Sequence, residues 1–389
     1  MELTRKQEEG LKIAVDRYRK GEKYTVIAGY AGSGKSTLVR FIIDALRIKE
    51  HKVCYATFTG KAAQVLLTKG NKNVSTLHKL LYRSIPKPTG GFIRIPVEDV
   101  PYDVIVVDEV SMAPKELMTL LATYNVHIIC LGDPFQLPPI DKESNNHILD
   151  NPHIFLDEVM RQAQESEIIR LTMDIREGKI ITPHRGKEVI VANKSELNTG
   201  MLQWADQVIC GTNNMRVGIN NQMRDLLGHH GGPKDGDKII CLRNYWDTFA
   251  DNEDPLVNGT IGYLNNSYES FLNIPKRLGG GSIDIISGKF MSDSGAKFDS
   301  LDMDKKLITT GEKSLDWKLS YQLNKNPKTR YLVPFEFTYA YAITCHKAQG
   351  SEFDKVLVVE ESFPFAKEEH ARWLYTACTR ASEKLVLVR

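Results

Sequence analysis

The clearest chemical signal lies in a glycine-rich stretch near the start of the chain. Gly29 to Ser36 reads GYAGSGKS and fits the pattern G-x-x-x-x-G-K-[ST] without a mismatch. It follows the apolar run YTVIA and precedes the helical pattern STLVRFII, as this pattern requires. Glycines let backbone N–H groups turn towards an anion, and a helix start adds partial positive charge. The sequence therefore predicts a phosphate-binding loop. Its predicted lining residues are Gly29, Ala31, Gly32, Ser33, Gly34, Lys35, Ser36 and Thr37.

Two consecutive carboxylates end a second apolar run. Asp108 and Glu109 follow the run VIVV, and burying two carboxylates is costly unless they meet a cation or a reacting water. We expect Lys35 to reach the β- and γ-phosphates. The Ser36 hydroxyl and the Asp108 carboxylate would hold Mg²⁺, and Glu109 would polarise the attacking water as general base. Together, the loop and the carboxylates predict a Mg²⁺-dependent nucleoside triphosphatase.

The composition is that of an ordinary globular protein. Of the 389 residues, 42% are apolar and 26% are charged, which excludes a disordered or fibrous chain. At about 150 residues per domain, the length suggests two or three domains. Lysine and arginine number 51 against 49 aspartate and glutamate, so the net charge is +2. This balance gives no electrostatic indication of a nucleic-acid partner.

The cysteines and the apolar runs indicate a cellular compartment. The six cysteines are scattered singly with no C-x-x-C pair, which argues against a disulfide framework or a zinc site. The first residues, MELTRKQEEGLK, are charged, unlike a signal peptide, and no apolar run reaches the roughly 18 residues of a membrane span. We therefore expect a soluble, cytoplasmic protein that does not bind membranes.

The first part of the chain alternates short β-rich runs with helical patterns, which is typical of a parallel sheet covered by helices. We predict an α/β domain over 1–150. Its predicted strands are Val26 to Ala28, Val53 to Ala56, Val104 to Val107 and His127 to Leu131, and its predicted helices are Ser36 to Leu46 and Lys61 to Leu67. Within it, 82–100 contains three prolines and a Gly-Gly pair. This segment fits either an inserted hairpin turning at 89–91 or a plain loop.

A second α/β domain is predicted from two separate stretches, 151–235 and 329–389. Its predicted helices are 166–178 and 216–227, and its predicted strands are Val208 to Gly211, Glu336 to Thr344, Lys355 to Val359 and Leu385 to Val388. The intervening 236–328 is rich in Gly, Asn, Asp and Ser and has short strand patterns. We predict that it forms a small β-rich insertion.

The residues after the two carboxylates carry a resemblance to a known family. DEVSM at 108–112 and GDPFQLPP at 132–139 resemble motifs II and III of superfamily 1 helicases, especially the RecD/Dda type of superfamily 1B. In that family the motif III glutamine senses the γ-phosphate of ATP, and the resemblance gives this role to Gln136. TRKQ at 4–7 resembles the adenine-reading Q motif, with Gln7 as its glutamine, although a capped surface helix accounts for the same residues.

Further family motifs follow in order. ATFTGKAA and STLH resemble motifs Ia and Ib, EVMRQ resembles motif IV, AITCHKAQGSE resembles motif V, and LYTACTR resembles motif VI. Hydroxyls, main-chain N–H groups and a lysine at a helix start suit the backbone of a single strand. The implied strand-binding residues are Thr59, Lys61, Thr76, His78, Thr344, His346 and Lys347. The resemblance implies that Gly350 and Glu352 contact the nucleotide. It also implies that Arg161 and Arg380 are arginine fingers that stabilise charge on the transferred phosphoryl group.

The resemblance also implies an architecture. We expect two RecA-like P-loop domains with parallel sheets that close on ATP, a hairpin that separates strands, and an SH3-like barrel within 236–328. Phe92 resembles the tip aromatic of such a hairpin, although an ordinary half-buried aromatic fits equally. Lysines over 305–330 are interleaved with Trp317 and Tyr321, which suits either a strand-tracking surface or a solvated face.

The function implied by the resemblance is that of an ATP-dependent DNA helicase. It would move 5′-to-3′ along single-stranded DNA and unwind duplex, as a monomer in the cytoplasm of a bacterium or a phage-infected cell. Its expected partners are single strands, single-strand/duplex junctions, and single-strand-binding or recombination proteins. Three alternatives remain open. They are an ATPase switch that binds a protein, an RNA helicase of superfamily 1, and the helicase subunit of a nuclease complex.

Overall fold

The computed structural model describes residues 3–86, 92–138, 145–160, 165–251, 255–326, 328–362 and 366–389. The chain divides into two compact units. Unit 1 comprises Met1–Tyr82, Pro96–Asn213 and Ile343–Arg389, and unit 2 comprises Arg83–Ile95 and Asn214–Ala342. The predicted domain bounds at 150, 235 and 329 stay predictions.

The strands are bounded as follows. They are β1 (Tyr24–Gly29), β2 (Val53–Thr57), β3 (Val74–Thr76), β4 (Tyr82–Pro86), β5 (Phe92–Pro96), β6 (Val104–Val107), β7 (His127–Gly132), β8 (Ile154–Leu156), β9 (His184–Arg185), β10 (Val189–Ala192), β11 (Gln207–Cys210), β12 (Lys238–Cys241), β13 (Tyr245–Phe249), β14 (Pro255–Leu256), β15 (Ile261–Asn273), β16 (Ser282–Ser292), β17 (Lys297–Asp304), β18 (Phe337–Tyr339), β19 (Ala342–Thr344), β20 (Phe353–Val359) and β21 (Ala381–Val388).

The α-helices of the described residues complete the set. They are α1 (Arg5–Arg19), α2 (Lys35–Leu46), α3 (Gly60–Thr68), α4 (Leu77–Leu81), α5 (Lys115–Thr123), α6 (Glu167–Arg176), α7 (Thr199–Trp204), α8 (Asn213–Leu226), α9 (Lys305–Thr310), α10 (Trp317–Lys325), α11 (Cys345–Ala348) and α12 (Lys367–Cys378).

The first sheet is a six-stranded parallel sheet with the order β3-β2-β6-β7-β1-β8. All four residues of its inner strand β6 are buried, as expected for a parallel sheet covered on both faces. The sheet takes its last strand, β8, from beyond residue 150. Since the strands are parallel, the phosphate loop after β1 and the carboxylates after β6 leave the same edge of the sheet.

The second sheet has the order β19-β11-β20-β21-β10-β9. Neighbouring strands from β11 to β10 are parallel, and the short β9 is antiparallel to β10. Strand β11 and the C-terminal residues of β20 and β21 are buried, whereas both residues of the edge strand β9 are exposed. The two sheets therefore give the chain the mixed α/β character that the sequence predicts.

The segment Glu336 to Thr344 is predicted as one strand, and this prediction is wrong. The structure has two strands there, β18 and β19, separated by Ala340 and Tyr341. The two strands belong to different sheets, and the buried side chain of Asn220 on α8 binds the backbone where the chain passes between them. Its amide Oδ1 accepts from Ala342 N at 2.8 Å, and its Nδ2 donates to the carbonyls of Tyr339 and Ala342 at 3.3 and 3.1 Å.

Unit 2 contains a five-stranded antiparallel sheet with the order β17-β16-β15-β12-β18. Its core includes Phe290, Phe298 and Phe337. The sequence predicts a β-rich insertion here but not the helices α9 and α10. The SH3-like character of this part stays a prediction.

The hairpin region and the cysteines complete the fold. Strands β4 and β5 pair as a two-stranded sheet, while the predicted turn at 89–91 lies outside the described residues. All six cysteines are buried free thiols. Across the described residues, no helix combines the length and apolar character needed to cross a membrane.

Candidate functional site

The predicted phosphate loop joins β1 to the start of α2. Gly32 and Gly34 have φ angles of 74° and 78°, in the left-handed region that favours glycine. A Cβ atom on Gly34 would lie 2.4 Å from both the Gln7 amide nitrogen and the Met160 sulfur. The loop shape and the close approach of its neighbours therefore both require glycine at position 34.

The polar groups of this loop point to an anion. Lys35 Nζ donates to the carbonyls of Gly29 and Tyr30 at 2.7 and 3.0 Å, so its ammonium group lies over the loop. Ser33 Oγ is buried and has no hydrogen-bond partner among the described residues. Ser36 is exposed on the first turn of α2, and Thr37 beside it is half-buried. An ammonium group, a free hydroxyl and a helix start suit a polyphosphate.

The carboxylates Asp108 and Glu109 are half-buried at the end of β6. Asp108 Oδ1 accepts from Glu109 N at 2.9 Å. Glu109 has a φ of 48°, and a non-glycine residue there carries a strain of about 1–2 kcal/mol. Burial raises the pKa of both carboxyl groups, and the cations Arg380 and Lys35 partly oppose this rise. A raised pKa brings Glu109 closer to the range of a general base at neutral pH.

Arg380 connects motif VI, beside the second sheet, with the carboxylates that follow β6 of the first sheet. It follows α12, and its side chain is 7% exposed. Its guanidinium lies 3.4 Å from Glu109 Oε1, while Nε donates to Thr376 O at 3.1 Å and NH1 to Ser351 O at 3.3 Å. The predicted general base and a predicted arginine finger are therefore an ion pair.

Gly350, which precedes Ser351, fits closely against the same carboxylate. Its φ is 73°, and a Cβ atom here would lie 3.1 Å from Glu109 Oε2 and 3.0 Å from Thr59 Oγ1. Motif V thus lies against both motif II and motif Ia. The neighbouring Glu352 forms an ion pair with Lys69 at 2.6 Å, and its contact with the nucleotide stays a prediction.

The segment after β7 carries Gln136. Its side chain is half-buried and has no hydrogen-bond partner among the described residues. The adjacent Leu137 is held on both sides. Its N–H donates to Thr376 Oγ1 at 2.9 Å, and its carbonyl accepts from Gln349 Nε2 at 2.8 Å. Side chains of motifs V and VI therefore bind the backbone of motif III next to Gln136.

Tyr375 and Asp133 are site residues that sequence reasoning missed. The buried Tyr375 hydroxyl donates to Asp133 Oδ2 at 2.6 Å and accepts from Ala31 N of the phosphate loop at 2.8 Å. Burial and the Asp133 carboxylate raise the pKa of Tyr375, so it stays a hydrogen-bond donor. The only sequence signal was that both residues lie inside recognised motifs. Their 242-residue separation hides the contact.

We expect Tyr375→Phe to lower the free energy of unfolding by about 1.5–3 kcal/mol, because the carboxylate acceptor Asp133 loses its donor and Ala31 N loses its acceptor. Urea denaturation measures the change. Tyr124→Phe is the matched control, since the buried Tyr124 hydroxyl donates to the neutral carbonyl of Val97 at 2.7 Å. It should cost only about 0.5–1.5 kcal/mol. Equal losses would contradict a special role for Tyr375.

The predicted strand-binding residues lie where strands end and helices begin. Thr59 and Thr76 cap α3 and α4, with each hydroxyl accepting a backbone N–H at 3.2 Å. His78 lies between the rings of Phe58 and Tyr82, at centroid distances of 5.8 and 6.3 Å. The remaining residues are Lys61 on α3, Thr344 before α11, and His346 and Lys347 on α11. Burial lowers the pKa of His346, whereas Lys347 is exposed.

The remaining predicted site residues are Gln7, Arg161 and Phe92. Gln7 is buried, its Oε1 accepts from Thr4 N at 3.0 Å in a capping box, and its Nε2 donates to Ser33 O at 3.3 Å. Its amide thus contacts the phosphate loop directly. Arg161 lies outside the described residues. Phe92 begins β5, and its role as a tip aromatic stays a prediction.

Known proteins resemble this chain along most of its length. Residues 2–193 match the AAA domain family, and residues 339–388 match the UvrD-like helicase C-terminal domain family. The chain is 26% identical to the ATP-dependent RecD2 DNA helicase of Deinococcus radiodurans, over 94% of this chain and 46% of that protein. It is 28% identical to the ATP-dependent DNA helicase dda of Enterobacteria phage T4, over 46% of this chain and 43% of that protein. The chain therefore spans less than half of each relative.

Solved structures share the fold. One of them is the crystal structure of a Bacteroides Pif1 helicase with ADP-AlF3 and ssDNA. Its alignment covers 100% of this chain and 92% of the Pif1 chain, with 18% identity and a TM-score of 0.54. A Pif1 structure described as explaining DNA unwinding at forked dsDNA, with 19% identity and the same coverage, has a TM-score of 0.53. The predicted fold of two RecA-like domains is confirmed. The chain is a P-loop protein of the helicase type.

Within that class, the domain matches and relatives identify a narrower group. Together, the two domain matches and the RecD2 and Dda relatives indicate a superfamily 1B helicase of the RecD/Pif1/Dda type. The sequence-based assignment to this family is thus confirmed.

Proposed function

We propose that this protein is an ATP-dependent DNA helicase that hydrolyses ATP between its two RecA-like domains. The observation that carries the proposal is the ion pair of Arg380 with Glu109. An arginine from motif VI at the general base of motif II is the arrangement that a nucleotide-driven motor needs. Hydrolysis can then be coupled to the approach and separation of two domains.

The residues of the chain divide the chemical work. Lys35 would leave the carbonyls of Gly29 and Tyr30 and bind the β- and γ-phosphates. Glu109 would orient and deprotonate the attacking water, and Arg380 would stabilise the charge that develops on the γ-phosphoryl group. Gln136 has a side chain free to sense that group. We assign Arg161 the role of a second finger from its motif alone.

Ser36 and Asp108 are the proposed Mg²⁺ ligands. A hydroxyl and a carboxylate are the oxygen donors that Mg²⁺ prefers. Among the described residues there is no cluster of three or more His, Cys, Asp or Glu that could hold a metal ion. The phosphates of the nucleotide would supply further oxygen ligands. Bound Mg²⁺ would neutralise charge on the β- and γ-phosphates.

The proposed substrate is single-stranded DNA at a junction with duplex. Motifs Ia, Ib and V would grip the strand at the helix starts that carry Thr59, Thr76 and Thr344. The Deinococcus and phage relatives are named DNA helicases, and the Bacteroides Pif1 structure contains ssDNA. By family resemblance we propose 5′-to-3′ movement by a monomer in the cytoplasm, together with single-strand-binding or recombination proteins.

Partial duplexes with a single overhang test this function. With ATP and Mg²⁺, we expect strand separation of a duplex that carries a 5′ DNA overhang and none of one that carries a 3′ overhang. The readout is a fluorophore and quencher on opposite strands. Unwinding only from the 3′ overhang would refute the direction, and equal unwinding from RNA overhangs would refute the preference for DNA. ATP hydrolysis without any strand separation would favour an ATPase switch.

A further inference from the structure

Helix α10 in unit 2 exposes two large aromatic side chains. Trp317 is 75% exposed and Tyr321 is 63% exposed. They are four residues apart on one helix, so they lie on the same side about one turn from each other. Side chains of this size are usually largely buried, so an exposed pair of them is a candidate ligand-binding surface.

The opposite side of α10 is well anchored. Leu323 is fully buried in a cluster with Ile283, Ile285 and Leu332, and Leu319 packs against this cluster. Asp316 caps the helix by accepting from Leu319 N at 2.8 Å. The exposed aromatics are therefore presented by a rigid element and are not a sign of a loosely packed helix.

The charge around the aromatics is basic. Residues 317–331 contain Lys318, Lys325, Lys328 and Arg330 and no acidic residue. At 3.6 residues per turn, Lys318 and Lys325 lie about 60–80° from the aromatic direction, while the two leucines lie on the other side. Elsewhere in the unit Lys306 and Lys313 pair with glutamates. In contrast, Lys318 and Lys325 form no ion pair with any described residue.

We propose that an aromatic–lysine face binds single-stranded nucleic acid through residues that belong to none of the motor motifs. The face consists of Trp317, Lys318, Tyr321 and Lys325. Bases stack on the two rings, and the ammonium groups meet the phosphates. Two lysines without an ion-pair partner among the described residues favour a polyanion over an apolar protein segment. The proposal rests on the proposed helicase function only in taking the strand to be DNA.

Binding of oligothymidylate to the full chain without nucleotide tests this face. Trp317→Ala/Tyr321→Ala should raise the Kd roughly ten-fold or more, since stacking on each ring is lost. Tyr268→Ala is the matched control, because Tyr268 is 65% exposed in the same unit but lies on β15 and not on α10, and it should keep the wild-type Kd. Trp317→Phe should keep most of the affinity and lose the quenching of tryptophan fluorescence by the oligonucleotide.

The outcomes separate this proposal from the helicase proposal. A weaker Kd in the double variant supports the face even if the wild-type protein unwinds nothing. An unchanged Kd with unchanged quenching overturns the face even if the protein is a helicase. Sedimentation velocity tests the alternative that a second copy of this chain binds the face. If the double variant turns a dimer into a monomer at unchanged Kd, the face binds a second copy of this chain and the proposal is wrong.

Discussion

Arg380→Ala should lower kcat for DNA-stimulated ATP hydrolysis by roughly 10³-fold or more, as removal of an arginine finger does in related chemistry. The side chain is 7% exposed and lies 3.4 Å from Glu109, which places its charge directly at the proposed general base. Steady-state phosphate release with saturating single strand measures the effect. Binding of a fluorescent ATP analogue should change far less, because the arginine acts mainly on the transition state.

Two further variants guard this result against a folding artefact. Arg380→Lys keeps the charge but loses the planar fork, so it should remain strongly impaired while removing the concern about an unpaired Glu109. Arg185→Ala removes an exposed arginine paired with Glu196 at 3.1 Å and should hydrolyse ATP like the wild type. Near-normal turnover by Arg380→Ala would rule out the proposed finger.

Lys35→Ala should abolish ATP hydrolysis whether or not a strand is present. The Lys35 ammonium group donates two hydrogen bonds to carbonyls of the phosphate loop, where it would meet the phosphates. The fold should survive, since no core residue depends on it, and thermal unfolding followed by circular dichroism checks this. Binding of single strands should persist. Retained hydrolysis would refute the assignment of the nucleotide site.

A lysine of the same unit serves as the control for that variant. Lys72 is exposed and pairs with Glu50 at 2.9 Å. Lys72→Ala should keep the wild-type rate. If Lys35→Ala and Lys72→Ala lose activity equally, the loss reports damage to the first domain and not to phosphate binding.

Local patterns predicted those parts of the fold whose causes are local. The phosphate loop, α2 and β6 were accessible because glycine spacing, helical periodicity and an apolar run each act over a few residues. The family motifs extended the prediction of site residues to both sheets. The confirmed fold of two RecA-like domains follows from these signals together.

Contacts between distant residues could not be predicted in the same way. The backbone between β18 and β19 is bound by Asn220, which is more than a hundred residues away and forms three hydrogen bonds with it. The hydrogen bonds of Tyr375 to Asp133 and Ala31 are equally remote in sequence. Spacing within a motif contains no information about such partners, so only the three-dimensional structure reveals them.

The burial of every cysteine has a practical consequence. Thiol reagents attack the thiolate, and burial raises the pKa of Cys54 and of Cys345 to about 12, so neither sulfur is ionised near neutral pH. We therefore expect the native cysteines to react little with thiol-specific dyes while the chain is folded. A single cysteine introduced on the surface would take up a dye without prior removal of the natural six, and slow modification of those six would time the opening of the cores that enclose them.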